Sequence, residues 1–324
     1  MNTKYVTGLI LVAIGGATVW FYLNDLQFQS AEKQQPSEDD QILTIAEPFG
    51  KNPMFGPLYE SADKEYGTLI RFLASKLESY GIKEGKFIAV ENSYEASLLL
   101  RQGKLDIYVD SPFPAYIVAK LTGAEPLVNR WKRGQEKYHS NIFVKKSSAI
   151  KTLDDLKGKM MVFDKPDSTS AYFLPKAELI KRGYKMTQKS GPRDSTSLDE
   201  IGYYFAGSDV KAMEDMQNGV AAASAQNDAD FKTLAGDQAG DYRFIFSTVD
   251  VFRHVLVLRP GIDPKLKETI KQILLDMDKD PEGQKVLNDH KKTKKFEEFK
   301  PSVAEAFRGI AELSSLVEKE IIGQ

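Results

Sequence analysis

The sequence predicts an α/β protein built as two lobes with a cleft between them. Strand-length apolar runs alternate with helical segments that stop at glycine, and the whole alternation restarts near residue 150. A chain of 324 residues is also long enough for two cores of roughly 100–150 residues each.

In the first run Ile42–Ala46 reads as a buried strand. Thr68–Tyr80 places Leu69, Phe72, Leu73 and Leu77 on one helical face and stops at Gly81. Lys86–Val90 is a strand, Tyr94–Gln102 a helix ended by Gly103, and Leu105–Val109 a strand. Ala115–Leu121 is a helix and Asn141–Val144 a strand. Such alternation predicts mainly parallel sheet.

The second run has a turn at Leu153–Leu156, a strand at Met160–Phe163 and a helix from Asp167-Ser168-Thr169-Ser170 to Arg182. Tyr203–Phe205 precedes Gly207-Ser208, and a helix at Val210–Gln217 stops at Asn218-Gly219. Ala221–Ala225 and Phe244–Phe246 are strands, and a return strand starts near Val255. Asp263-Pro264 opens a helix whose Leu266, Ile270, Ile273, Leu274 and Met277 form a core-facing stripe. A last helix covers Val303–Ile321. The expected division gives residues 41–145 and 247–324 to lobe 1, and 146–246 to lobe 2. No repeat of 20–50 residues is present, which excludes a solenoid.

Ahead of the lobes, Tyr5–Leu23 is an uncharged run of 19 residues. As a helix it would measure about 28 Å, close to the roughly 30 Å of a bilayer interior. Lys4 before it and Asp25 after it put the N-terminus inside and the body outside. Residues 1–24 are therefore a transmembrane anchor or a cleaved signal segment. The run continues through Trp20, Phe21 and Leu23 beyond the small residues Gly15-Gly16-Ala17, which favours the anchor. Residues 25–40 form a polar linker. Both readings make the body extracytoplasmic.

Composition excludes several functions. With 44 Lys+Arg against 46 Asp+Glu, the chain lacks the basic excess of a nucleic-acid binder. It has no cysteine, so disulfides, thiol nucleophiles, thiolate metal sites and a lipidated cysteine are ruled out. His139, His254 and His290 are too scattered to suggest a metal site, and no cofactor is implied. A hydrolase using Ser168 or Ser170 would need a paired base. No Gly-x-Ser-x-Gly, HExxH or Walker motif supplies such chemistry.

The most informative stretch is Lys165-Pro166-Asp167-Ser168-Thr169-Ser170-Ala171, which follows a strand and opens a helix. A helix start carries unpaired N–H groups and partial positive charge, so it attracts anions, and three small polar side chains add donors. Simple N-capping by Asp167 or Ser168 accounts for the same residues.

Ser147–Lys159, with its Leu156-Lys157-Gly158-Lys159, leads through a strand to Ser168-Thr169-Ser170 and Pro175. With Gly103-Lys104-Leu105-Asp106-Ile107 and Gly207-Ser208, this resembles the PhnD-like phosphate/phosphite/phosphonate substrate-binding proteins of ABC transporters, over roughly residues 42–300. The resemblance implies a two-lobed, type II-like periplasmic-binding-protein fold that closes on a small oxyanion and delivers it to an ABC permease, with no catalysis. It implies that Ser168, Thr169 and Ser170 hold the oxyanion. Asp110 and Ser111 would form the first-lobe wall, Ser93 or Tyr94 would contact the ligand, and Asn227 would lie at a second-lobe strand end.

Departures from the family pattern bear on the ligand. Asp209 stands where histidine usually follows Gly-Ser, and Ala229 replaces an acid that engages the amine of aminophosphonates. Arg253 lies where a proline-rich hinge is usual. Loss of an acid and gain of Arg253 disfavour an ammonium-bearing ligand, while Asp110 and Asp209 would accept hydrogen bonds from a protonated oxyanion. A membrane-anchored sensory or docking protein of the same fold is the alternative function. His139 reads as a surface or interlobe hydrogen-bonding group and His254 as a weak candidate. The basic run Asp289–Lys295 reads as a solvated face, and Lys132-Arg133 beside Trp131 stands alone, which discounts nucleic-acid stacking.

Overall fold

The computed structural model of the chain describes residues 41–48 and 63–322, so the expected anchor (1–24) and linker (25–40) lie outside the described residues. The elements run β1 (Ile42–Pro48), α1 (Thr68–Ser75), β2 (Glu84–Val90), α2 (Ser93–Arg101), β3 (Ile107–Asp110), α3 (Pro112–Thr122), β4 (Glu125–Arg130), β5 (Lys137–Tyr138) and β6 (Asn141–Lys145). β7 (Met160–Phe163) is followed by a helical turn at Thr169–Phe173 that continues as α4 (Leu174–Lys181). Then come β8 (Lys185–Gln188), β9 (Glu200–Phe205), α5 (Asp209–Gln217), β10 (Ala223–Gln226), α6 (Asp228–Ala235) and β11 (Tyr242–Ser247). The last elements are β12 (Val251–Phe252), β13 (His254–Leu258), α7 (Pro264–Asp276), α8 (Pro281–Asp289), β14 (Phe296–Glu297) and α9 (Val303–Ile322).

Two six-stranded sheets result, ordered β14-β4-β13-β3-β1-β2 and β11-β6-β10-β7-β9-β8. β1 is parallel to β2 and β3, and β7 is parallel to β9 and β10. β13, by contrast, runs antiparallel to β3 and β4, and β6 antiparallel to β10 and β11. Each sheet is thus mixed: two of five pairings are parallel in the first, and three of five in the second, where β8 also runs parallel to β9. A helical crossover within one sheet is what keeps successive strands parallel, and β6 and β13 arrive instead from the opposite sheet.

The pairing also moves the expected lobe boundary. Residues 141–145, assigned to lobe 1, form β6 in the second sheet. The chain leaves the first sheet after Arg130, crosses through β5, and returns through β12. β5 and β12 pair antiparallel, Val251 opposite Tyr138 and Phe252 opposite Lys137. Two crossing segments side by side make a hinge between the lobes.

Local chemistry fixes these elements. β13 is buried at every position, as a strand covered on both faces must be. A Cβ added at Gly85 in β2 would lie 2.3 Å from the Ile70 carbonyl oxygen, so glycine permits the close approach of α1. Asp263 caps α7 by accepting from the Lys265 and Leu266 N–H groups, with Pro264 in the first turn. Of the predicted stripe, Ile270, Leu274 and Met277 are buried and Leu266 and Ile273 flank them.

One core cluster, including Leu43, Leu69, Leu256 and Leu274, belongs to the first lobe, and another, including Phe143, Val162 and Met213, to the second. A third passes through both, from Tyr108 and Val118 to Phe163, Phe173 and Leu179. α9 joins it through Phe307, Ile310, Leu313 and Val317, and packs on α3 of the first lobe and α4 of the second. The C-terminal segment, expected in lobe 1 alone, therefore touches both. Among the described residues no helix is long and apolar enough to cross a membrane.

Candidate functional site

The segment after β7 meets the first lobe through Thr169. Ser168 takes an extended backbone and caps the turn, its Oγ accepting from the Ala171 N–H at 3.2 Å. Thr169 is buried; its hydroxyl donates to Ser111 Oγ at 2.8 Å and accepts from the Phe113 N–H at 3.2 Å. Ser111 is the N-cap residue of α3, so a lobe 2 hydroxyl sits against the start of a lobe 1 helix. The Tyr138 hydroxyl lies beside Thr169 and Ser111. Beside this group the Phe113 and Phe173 rings stack with centroids 3.9 Å apart, which shields the polar contacts from water.

Asp110 backs this cluster at the end of β3. It accepts from Ser111 Oγ at 3.0 Å and from the Tyr108 hydroxyl at 2.7 Å. Burial pushes its carboxyl up to about 7; the charges of Glu47 and Asp167 add to the rise, and the hydrogen bonds oppose it.

Ser170 turns into its own lobe. Its Oγ accepts from Asn227 Nδ2 at 3.1 Å and its carbonyl from Ser140 Oγ at 2.5 Å. Asn227 caps α6 by accepting from the Asp230 N–H, and also donates to Asp230 Oδ2 at 2.6 Å. Asp209, the first residue of α5, accepts from Gln226 Nε2 at 2.6 Å. It lies beside Asp164, whose carboxyl is pushed up to about 8, by burial first and then by the Asp209 charge. Asp209 is raised as well, chiefly by burial, and accepts the hydrogen bond that protonated Asp164 donates.

Of the pair left open by the sequence, Ser93 opens α2 and directs its backbone N–H at the Asp167 carboxylate. Tyr94 is 43 % exposed. The structure therefore brings Ser93, Asp110, Ser111, Thr169 and Tyr138 together, with Ser168 in the same turn. Ser170 and Asn227 stand behind it, and Asp209 is engaged with Asp164 and Gln226. Arg253, between β12 and β13, lays its guanidinium 4.4 Å from the centre of the Tyr138 ring.

A buried charge cluster escaped the sequence reading. Arg130 is fully buried; Nε donates to Thr293 Oγ1 at 2.9 Å, Nη1 to Glu47 Oε2 at 3.2 Å and Nη2 to the His290 carbonyl at 3.1 Å. Lys132 Nζ lies 3.4 Å from Glu47 Oε1 and 3.0 Å from His254 Nε2. Burial raises the Glu47 carboxyl, yet Lys132 and Arg130 outweigh it and hold Glu47 below its ordinary value. Burial lowers Lys132 to about 8 and His254 well below the usual imidazole range, with nearby cations adding to the His254 shift.

One expectation is corrected in part: Asp289, Lys292 and Lys294 of the run Asp289–Lys295 are exposed, but His290 and Thr293 are buried and hold Arg130. The available signal was positional: Glu47 follows the apolar Ile42–Ala46, and Arg130 follows Leu127-Val128-Asn129, so both charges fall at strand ends where ligands of α/β sheets bind. His139 lies 2.9 Å from Asp250 and 3.4 Å from Asp228, tying a crossing segment to α6.

Chemically the wall offers hydroxyl and amide donors. Thr169 and Ser170 pair with Ser111 and Asn227, not with a histidine or carboxylate base that would activate a nucleophile. Among the described residues no group of three His, Asp or Glu is arranged to hold a metal ion.

A family model described as ABC transporter, phosphonate, periplasmic substrate-binding protein matches residues 57–304. Among solved structures, XAC2383 from Xanthomonas citri bound to chloride ion is similar at TM-score 0.78 and 22% identity, over 88% of this chain and 100% of that one. The same protein bound to ATP gives 0.76 and 22%, over 86% and 98%. PhnD1 from Prochlorococcus marinus in complex with methylphosphonate gives 0.63 and 16%, over 86% and 99%. These likenesses show a shared two-lobed α/β fold.

Proposed function

The chain belongs to the periplasmic substrate-binding proteins of phosphonate ABC transporters, and from that premise we propose that it captures a phosphate-, phosphite- or phosphonate-type oxyanion between its lobes by hinge closure and presents it to an ABC permease. Membership of this family makes it an extracytoplasmic binding protein, not an enzyme. The apolar run Tyr5–Leu23 supports anchoring to the cytoplasmic membrane.

The carrying observation is the Thr169 hydroxyl of lobe 2 held against Ser111 and the Phe113 N–H of lobe 1. A tetrahedral oxyanion entering here gives the hydroxyls of Thr169, Ser111 and Tyr138 a shared acceptor. The Phe113 N–H, the one donor that Pro112 and Pro114 leave in the first turn of α3, and the backbone N–H groups of the Thr169 turn add donors and a favourable field. Contacts drawn from both lobes stabilise only the closed form, so binding and closure are linked. Asp110 selects the protonation state. Its ionised form accepts a hydrogen bond from a P–OH group and repels a full dianion.

Methylphosphonate, the ligand held by PhnD1, is the natural first probe, beside phosphate and phosphite. Titration calorimetry should give heat with at least one of the three. Thr169→Val, which keeps the shape and removes the hydroxyl, should weaken that binding about tenfold or more, corresponding to about 1.4 kcal/mol. Absence of heat with all three ligands would overturn the ligand class.

A further inference from the structure

One buried cation near the oxyanion wall acts on its neighbours through its field, helping against burial to lower the Asp230 carboxyl, yet its side-chain donors are not engaged within the described residues. Arg253 is 5 % exposed, and its Nε is buried with no hydrogen-bond partner. Among the described residues its side chain makes no hydrogen bond or ion pair; only its backbone N–H is engaged, with the Glu136 carbonyl at 2.9 Å. A guanidinium cannot shed its proton and carries five donors. The Tyr138 ring at 4.4 Å attracts the charge but accepts none of those donors in their plane.

The neighbouring acids are already taken. Glu47 is shared by Arg130 and Lys132. Asp230 faces Arg133 at 2.9 Å and Asn227 at 2.6 Å, and Asp110 accepts from Tyr108 and Ser111. Lys132 adds a second cation on the same side, and its field and that of Arg253 oppose each other. The place of Arg253 is set by Tyr138. That residue has its hydroxyl beside Thr169 and Ser111 and carries the guanidinium on its ring face. Arg253 therefore stands on the hinge side of the oxyanion wall, one aromatic ring away.

Resting on the reading that the Thr169 wall takes an oxyanion, we propose that Arg253 receives a second anionic group of the same ligand. The preferred substrate class is then a phosphonate bearing a carboxylate or second phosphoryl group a short chain away, not an aminophosphonate. The planar fork of the guanidinium matches a carboxylate in two parallel hydrogen bonds, which a lysine cannot reproduce.

The test is calorimetry on the full-length protein with methylphosphonate, 2-aminoethylphosphonate, phosphonoacetate and 3-phosphonopropionate. For the wild type, at least one carboxylated ligand should bind about tenfold or more tighter than methylphosphonate, and 2-aminoethylphosphonate should bind no better than methylphosphonate. In Arg253→Met that ratio should fall to about threefold or less, with Arg253→Lys between the two. A wild-type ratio near one overturns the proposal, and so does a ratio in Arg253→Met as large as in the wild type, which would make Arg253 a contact of the single oxyanion. If Arg253→Met does not fold, the wild-type ratio and Arg253→Lys decide. Failure of all four ligands to bind would instead remove the oxyanion wall on which the proposal rests.

Discussion

The two sides of the cleft handle polarity in opposite ways. The first lobe buries full charges and saturates them: Arg130 has three acceptors, and Glu47 is shared by two cations. The second lobe contributes neutral groups, the hydroxyls of Thr169 and Ser170 and the amide of Asn227, each held by one to three hydrogen bonds. A buried ion pair is stiff because moving one partner strands the other. A hydroxyl exchanges one acceptor for another at little cost. The charged side thus serves as a frame, and the hydroxyl side is the surface proposed above to trade its contacts for a guest.

Breaking the frame should cost most. Arg130→Met takes one of its two cations from the buried Glu47 and strands the Thr293 and His290 acceptors of the guanidinium, and a loss of about 3–5 kcal/mol in urea-induced unfolding is expected. A loss below about 1 kcal/mol would mean that the charged side does not hold the first lobe together.

The second lobe also carries the Asp164–Asp209 carboxyl pair, and its pH dependence sharpens the contrast. The Asp164 carboxyl is raised from 3.8 to about 8 in the fold. Between those values the native chain keeps a proton that the unfolded chain releases. The stabilisation is complete below pH 3.8 and lost as pH rises towards 8. Asp164→Asn keeps a donor toward Asp209 and removes the titration. It should be more stable than the wild type at pH 8 by on the order of 1–2 kcal/mol, and equal to it near pH 4. Melting curves at the two pH values check this, and a difference that does not change with pH would refute it.

The smallest effect belongs to the cap. Ser168→Ala removes the acceptor for the Ala171 N–H and should cost about 1 kcal/mol, with Ser168→Gly recovering part of it. A loss as large as that of Arg130→Met would erase the distinction between frame and exchangeable surface.

Much of the architecture was legible because apolar runs report burial directly. Met160–Phe163 was read with its observed bounds, and α9 within one residue. The hydroxyl turn was legible because a cap followed by small donors is a local pattern. Elements with few apolar residues were not: β8 is Lys-Met-Thr-Gln and α8 contains only two buried aliphatic side chains, Val286 and Leu287. β5 and β12, two residues each, leave no periodicity at all, so the hinge and Tyr138 had no signature. The Glu47–Arg130 pair joins positions 83 residues apart. Its partners could be identified only once the sheet order was known.

The placement of α9 bears on the speed of the protein as well as its shape. The crossing strands β5 and β12 permit rotation, but α9 lies across α3 and α4 together. Separating the lobes must therefore slide one of those helices beneath it, against the Tyr116–Phe307 ring contact on one side. Opening becomes a coupled swing and slip, with friction set by packed side chains far from the guest. On the proposed function, release kinetics are then open to retuning through Phe307, Ile310, Leu313 and Val317 while equilibrium affinity is left to the cleft.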